Sequence, residues 1–248
     1  VIVRKSPAEI EIMREAGRVT ARALAAVGAA VAPGVTTAEL DEIAESVIRG
    51  AGAAPAFKGY HGFPATICSS KNCVVVHGIP GGAKLVDGDI ISVDVGAIVD
   101  GYYGDAAYTF PVGAIQSDVA RLLEVTKRSL EAGIAKCVPG MRLYDISAAV
   151  QRVAEGGGFS VVREYVGHGI GRAMHEEPQV PNYGTAGRGP TLQPGMVLAI
   201  EPMVNMGGPG VVQSDDGWTV STADGSPSAH FEHTVAITED GPRILTLE

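Results

Sequence analysis

The chain has 248 residues, 46% of them hydrophobic, enough to bury one large core or two small ones. Its 19 basic and 28 acidic residues leave a formal charge of −9, which excludes a broad attraction for nucleic-acid phosphates or anionic lipid. Three cysteines, Cys68, Cys73 and Cys137, are too few for a disulfide framework and show no CxxC or zinc-finger spacing, so a reducing cytoplasm is the expected compartment.

The N-terminal stretch carries Glu9, Glu11 and Glu15 and is unlike a secretory leader. It begins a predicted helix over Ala8–Val31. Within that helix the weakly apolar run Ala23–Ala32 is mostly Ala and Gly, at about ten residues half of what a membrane helix needs. Pro33-Gly34 ends the helix, because Pro removes a donor and Gly tolerates a left-handed cap. A second helix is predicted over Thr37–Gly50, with Thr37 as N-cap and Leu40, Ile43, Ala44 and Val47 forming an apolar stripe. The β-branched run Ile90–Val95, introduced by the Gly88 turn, reads as a strand, and Val99–Tyr103 reads as its antiparallel partner. The pattern then starts again. Gln116–Val138 is a helix closed by Pro139-Gly140, Leu143–Gly156 is a second, and Val197–Ile200 is a strand partnered by Phe231–Ile237.

The resemblance of the two stretches is an internal repeat. Pro33-Gly34 and Pro139-Gly140 are offset by 106 (139 − 33), as are Thr20, Arg22, Leu24 and Thr126, Arg128, Leu130. His61-Gly62 recurs as His168-Gly169, and Gly88 with Asp94 recurs as Gly195 with Glu201, both at 107. No Pro/Ser-rich linker divides the halves, about 8–110 and 116–240, so the expectation is one domain over 1–248. The class is α+β, an antiparallel sheet covered by helices on one face.

In Ile90-Ile91-Ser92-Val93-Asp94-Val95, strand alternation sets Asp94 on one face with Ser92 and Ile90. A carboxylate ending a buried strand is costly unless it is paired or ligates metal. Its repeat partner Glu201 ends Val197–Ile200 in the same way, so the two should converge. A returning hairpin would bring Asp105 beside Asp94, and a returning strand would bring Glu232 beside Glu201. His168 lies between Gly167 and Gly169, which permit close backbone approach. Four crowded carboxylates would repel one another and take up protons. Divalent cations remove that conflict, and carboxylates with one imidazole suit Mn, Fe, Co or Zn in a two-metal site.

The same segments resemble the bacterial type I methionine aminopeptidases, metalloenzymes of the pita-bread (creatinase/aminopeptidase) fold, over essentially the whole chain. The resemblance is carried by Gly59-Tyr60-His61-Gly62-Phe63-Pro64, Val76-His77-Gly78-Ile79-Pro80, Ser92-Val93-Asp94-Val95-Gly96, Gly104-Asp105-Ala106-Ala107, Gly167-His168-Gly169-Ile170-Gly171-Arg172, His175-Glu176-Glu177-Pro178, Ala199-Ile200-Glu201-Pro202 and Phe231-Glu232-His233-Thr234. It implies removal of the initiator methionine from nascent chains, with a small second residue preferred, by a metal-activated water that attacks the first peptide bond. Asp94, Asp105, His168, Glu201 and Glu232 would be the metal ligands, with Asp105 and Glu232 bridging both ions, Asp94 chelating one, and His168 and Glu201 holding the other. Glu201 would also shuttle a proton, His175 would stabilise the tetrahedral intermediate, and His77 would hydrogen-bond the scissile nitrogen or the substrate backbone. The methionine pocket would be lined by Tyr60, Phe63, Cys68, Met174 and Trp218, with His61 at its edge. Met174 stands where an aromatic is usual, which implies a softer wall. Asn72, Val74 and Ser228 match a monovalent-cation site. The short Glu201–Glu232 spacing leaves no room for the insert of type II enzymes, and no N-terminal zinc-binding extension is seen. A monomer that meets nascent chains near the ribosome, without nucleic-acid or membrane partners, completes the expectation.

Other readings are weaker. Gly167-x-Gly169-x-Gly171 lacks the last glycine of a dinucleotide fingerprint and the acidic residue that should follow. The apolar neighbours of Cys68 make it a pocket wall rather than a nucleophile. His230 and His233 read as structural or as supports behind the ligands. A proline-directed peptidase of the same fold, and a binding module that has lost catalysis, are the alternatives to an initiator-methionine enzyme.

Overall fold

Residues Val1–Glu248 are all described by a computed structural model, in which helix α1 spans Pro7–Ala30, α2 Thr37–Gly50, α3 Ser117–Ile134 and α4 Leu143–Gly156. The first two begin in reciprocal caps. The Ser6 hydroxyl accepts from the Glu9 N–H while the Glu9 carboxylate accepts from the Ser6 N–H, and Thr36 and Glu39 repeat the arrangement. Thr36, not the predicted Thr37, is therefore the cap of α2, because the acid that completes the box lies three residues after Thr36; Thr37 Oγ1 turns away to the Gly81 carbonyl, 3.0 Å distant. Helix α3 also stops short of the expected Val138. After Ile134 the backbone tightens into three-residue turns, Lys136 N–H to Gly133 and Cys137 N–H to Ile134.

The main sheet has nine strands, running Ala54–Pro55, Ile90–Val99, Tyr102–Pro111, Glu232–Thr238, Val197–Ile200, Gly167–Gly169 and Glu176–Val180 from edge to edge; Ile67–Lys71 pairs beside Ile90–Val99 and Gly241–Ile244 beside Glu232–Thr238. Every pairing is antiparallel. The predicted return strand Val99–Tyr103 is instead the hairpin turn itself. Asp100 and Gly101 both take positive φ, +49° and +78°, and the partner of Ile90–Val99 is the ten-residue strand Tyr102–Pro111. Two three-stranded sheets complete the chain: Ser160–Val161, Met203–Asn205 and Ser228–His230 form one, and Val74–Val76, Val211–Gln213 and Val220–Thr222 the other.

Strand alternation sorts the two faces. Ile91, Val93, Val95 and Ala97 pack with Val19, Ala23 and Val27 of α1 and with Leu40, Ala44 and Ile48 of α2. Leu198, Ile200, Val235 and Ile237 pack in the same way against Leu122, Leu130 and Ile134 of α3 and Ile146 of α4. Each helix pair thus covers one side of the sheet, and the alternate residues of the same strands point to the uncovered side. No helix is long and apolar enough to cross a membrane.

Helix α1 packs closely against Tyr102–Pro111 and the segment around Leu245. A Cβ on Gly104 would sit 2.7 Å from the Gly17 nitrogen, and one on Gly17 would sit 2.2 Å from the Leu245 carbonyl oxygen. Thr20 Oγ1 bridges the same contact through the carbonyls of Ala16 and Gly104. Gly104→Ala is therefore expected to cost about 1–3 kcal/mol through overpacking. Chemical denaturation measures it, and an unchanged midpoint would show that the helix can shift freely.

Candidate metal centre

The uncovered face brings the five predicted ligands together through register. Asp94 stands opposite Ala107, which stands opposite Glu232, so the two acids share a row across the small Ala side chain. Asp105, two residues before Ala107, projects from the same face in the next row. His168 stands opposite Ala199, two residues before Glu201. The backbones of Asp105 and Glu201 are also pinned. Asp105 N–H donates to Thr234 Oγ1 while that hydroxyl donates to the Asp105 carbonyl, and Asn182 Nδ2 donates to the Glu201 carbonyl. The glycines around His168 are needed for contact, since a Cβ on Gly167 would lie 2.4 Å from the Ala199 oxygen and one on Gly169 would lie 2.2 Å from the Glu177 oxygen.

The side chains meet as acceptors without donors. One ligand atom from each of Asp105, His168 and Glu232 lies within 4.8 Å of the others. His168 Nε2 is 3.4 Å from Glu201 and 3.9 Å from Asp105. His168 Nδ1 lies 2.9 Å from the Gly169 carbonyl, which can only accept, so the ring proton belongs on Nδ1 and the Nε2 lone pair faces the carboxylates. Asp94 Oδ1, Asp105 Oδ1 and Glu232 Oε1 are buried with no hydrogen-bond partner. Buried polar atoms are ordinarily satisfied, and three orphan carboxylate oxygens facing one another call for a positive charge.

Electrostatics carries the same message. Burial, then the charges of Asp105 and Glu201, push Asp94 well above the usual carboxylate range. Burial and Asp105 do so for Glu201; burial with the charges of Asp105, Glu201 and Asp94 does so for Glu232. Burial raises Asp105 from 3.8 to about 7, with the Asp94 hydrogen bond opposing. His168 is lowered from 6.5 to about 4 by burial and the nearby His175, which keeps its ligating form neutral. Divalent cations fit this donor set. Asp94, Asp105, His168, Glu201 and Glu232 would hold them.

A cavity of about 460 Å³ opens above the acids, lined by all five of them together with Phe57, Tyr60, His61, Phe63, Cys68, His77, Met174, His175 and Trp218. Cys68 stands opposite Asp94 in the strand register, and burial pushes its thiol up. Trp218 stacks edge-on against Phe63 at 5.1 Å. The Tyr60 hydroxyl is 2.8 Å from His175 Nδ1, and the His175 ring lies 4.3 Å from that of His168. His77 follows the short strand Val74–Val76 at a positive φ of 61° and meets Tyr165 edge-on at 5.5 Å. Burial, then the His175 charge, lowers it to about 4. Every residue expected at the ligand set and pocket reaches this one cavity. Phe57 is the lining residue the sequence did not reveal. His230, expected to be structural or a support behind the ligands, is buried with an unpartnered Nε2 3.9 Å from Glu201. Val74 and Ser228 lie on the two small sheets and Asn72 in the turn between Ile67–Lys71 and Val74–Val76, where the Ser228 N–H donates to the Asn72 carbonyl.

Acceptors that only cations can satisfy, at the floor of a cavity wide enough for a side chain, define the class: a metal-dependent hydrolase. The sequence matches Metallopeptidase family M24 over residues 11–239. It is 55% identical to methionine aminopeptidase 1 of Bacillus subtilis, with 99% of each chain covered. The crystal structure of a methionine aminopeptidase from Thermotoga maritima superposes with a TM-score of 0.98 at 48% identity, with both chains covered completely. The prolidase of Pyrococcus furiosus, at 23% identity and a TM-score of 0.80 over 99% of this chain and 66% of its own, shares the pita-bread fold. The chain belongs to metallopeptidase family M24, in its type I methionine aminopeptidase branch.

Proposed function

We infer that this chain removes the N-terminal methionine from nascent proteins and peptides, with a small second residue preferred. The observation that carries the reading is one cavity in which an apolar wall of Phe63, Cys68, Met174 and Trp218 directly adjoins the five candidate ligands. A thioether seated against that wall would hold its own α-amine and carbonyl over the carboxylates. When bound, divalent cations supply Lewis acidity that polarises a carbonyl and acidifies a water. Asp94, Asp105, His168, Glu201 and Glu232 would hold them, with Asp105 and Glu232 contributing to both ions, Asp94 to one, and His168 and Glu201 to the other. Manganese, iron, cobalt and zinc all suit the set.

The remaining steps belong to the side chains. A Tyr60 hydroxyl that donates to His175 Nδ1 keeps the other ring nitrogen protonated, and that N–H can donate to the oxygen of the carbonyl under attack. His77 is placed to hydrogen-bond the scissile nitrogen or the backbone beyond it. Glu201, which lines the cavity 3.4 Å from His168, is placed to take up a proton from the attacking water and deliver it to the leaving amine. The flexible Met174 gives the pocket a deformable wall. Residues 1–248 act as one catalytic unit, a cytoplasmic monomer that meets its substrates as they leave the ribosome. A monovalent cation at Asn72, Val74 and Ser228 would brace the small sheets behind the cavity.

His175→Ala is expected to retain bound metal and to lower kcat about a hundredfold or more. An unchanged kcat would reduce His175 to packing. The reading as a whole is tested by metal analysis of protein purified without added metal, paired with hydrolysis of Met-Ala-Ser and of an Xaa-Pro peptide. Bound divalent metal with cleavage of Met-Ala-Ser is the expected result; cleavage of the Xaa-Pro peptide alone, or no bound metal and no cleavage, overturns it.

A further inference from the structure

The loop Gly171–His175 presents Met174 and His175 to the cavity, where Tyr60 meets the His175 ring. Its own backbone is closed by one bond, Gly171 N–H to the Ala173 carbonyl at 3.1 Å, and the following side chain anchors it further. One oxygen of Glu176, Oε1, accepts from the backbone N–H groups of Arg172 at 2.9 Å and Ala173 at 3.2 Å. The other, Oε2, lies 2.6 Å from the ammonium of Lys5, and the two side chains are only 14% and 3% exposed. Lys5 is itself fixed, its N–H donating to the Gly195 carbonyl at 2.7 Å and its ammonium donating to the Val3 carbonyl at 3.3 Å. Gly171 makes room for the pair, because a Cβ there would meet Lys5 Cε at 2.4 Å and Glu176 Oε1 at 2.6 Å. On the other side of the loop, the Tyr103 N–H donates to the Gly171 carbonyl, which ties it to the strand that bears Asp105.

A buried ion pair roughly breaks even as a stabiliser, since desolvation offsets attraction. Its structural yield here is geometric: with Oε2 held by Lys5, Oε1 is aimed at two loop amides and the residue immediately before Glu176 is His175. We propose that Lys5 and Glu176 are positioning residues that hold His175 at its catalytic distance, so that the segment preceding α1 acts as a strap on the active-site loop. This rests on the peptidase reading of the cavity.

The test uses the full chain loaded with divalent metal and Met-Ala-Ser as substrate. Lys5→Met keeps the apolar stem and removes the charge. It is expected to lower kcat about tenfold, as a displaced transition-state contact does, with KM and metal per chain unchanged. In a His175→Ala background the same substitution should lower kcat by less than about twofold further, because its partner in the effect is already gone. Amide hydrogen exchange should quicken at Arg172 and Ala173 but not at Leu198 or Val235. Equal losses in both backgrounds, or unchanged exchange at Arg172 and Ala173, overturn the proposal. Glu176→Gln retains an acceptor for the two amides while losing the charge and should show the same kinetic split if Lys5→Met does not fold. Wild-type protein that cleaves no Met-initiated peptide sinks the peptidase reading itself, and the exchange measurement then judges the strap alone.

Discussion

Asp105→Ala is expected to abolish turnover and to leave the protein without bound divalent metal. Asp105 is the carboxylate that links the two sides of the site: its charge helps to raise Asp94, it lies 3.9 Å from His168, and it shares with His168 and Glu232 a cluster of ligand atoms within 4.8 Å of one another. Truncation leaves Asp94 separated from the His168 side. Unfolding is not the expected cause of the loss. Removal of one of four crowded acids relieves repulsion in the metal-free protein, so its melting temperature at neutral pH should equal or exceed that of the metal-free wild type. Metal analysis and calorimetry on the same sample separate the two effects. Wild-type turnover with full metal content would contradict the bridging assignment.

Metal removal should make stability sharply dependent on pH. A carboxyl whose pKa is raised by folding binds more protons in the folded state. Its stabilising contribution is complete below the unfolded value, near 4, and is lost as pH rises through the folded value, about 7 for Asp105; Asp94, Glu201 and Glu232 are raised in the same direction. Buried histidines act in the opposite sense. His77, His168 and His233 are lowered to about 4 and His230 to about 3, so they withdraw stability as pH falls below about 6.5. The two effects oppose each other between about pH 4 and 6.5, and above that only the acids remain. Metal-stripped protein should therefore melt at progressively lower temperature from pH 6.5 to 8.5, by about 1 kcal/mol per pH unit for each carboxyl still titrating. Saturating divalent metal should flatten the curve. Parallel curves with and without metal would mean that the acids are compensated by something else.

Much of this site was legible because it is written in short, local patterns. Asp94 and Glu201 end β-branched runs at repeat-related positions, and helices α2 and α4 have the boundaries their apolar spacing and Gly endings imply. The failures are equally local. The Tyr102–Pro111 strand was missed because Gly104, Ala106 and Ala107 are weak strand formers, although the Asp100-Gly101 pair is a strong hairpin signal and was present to be read. The two small sheets are built from strands of two or three residues, too short to show a period. Phe57 and the Lys5–Glu176 pair depend on contacts between segments far apart in the chain, which no local spacing encodes.

The seam between Tyr102–Pro111 and Glu232–Thr238 is registered over only two residue pairs, Glu232 with Ala107 and His233 with Ala106. The strands on either bank contribute carboxylates to the same cluster. So narrow a join gives little stiffness by itself, and cations gripped from both banks would serve as a clasp across it. Loading the centre should then quiet the breathing of one helix-backed wing against the other, so that the ions hold the enzyme's shape as well as perform its chemistry.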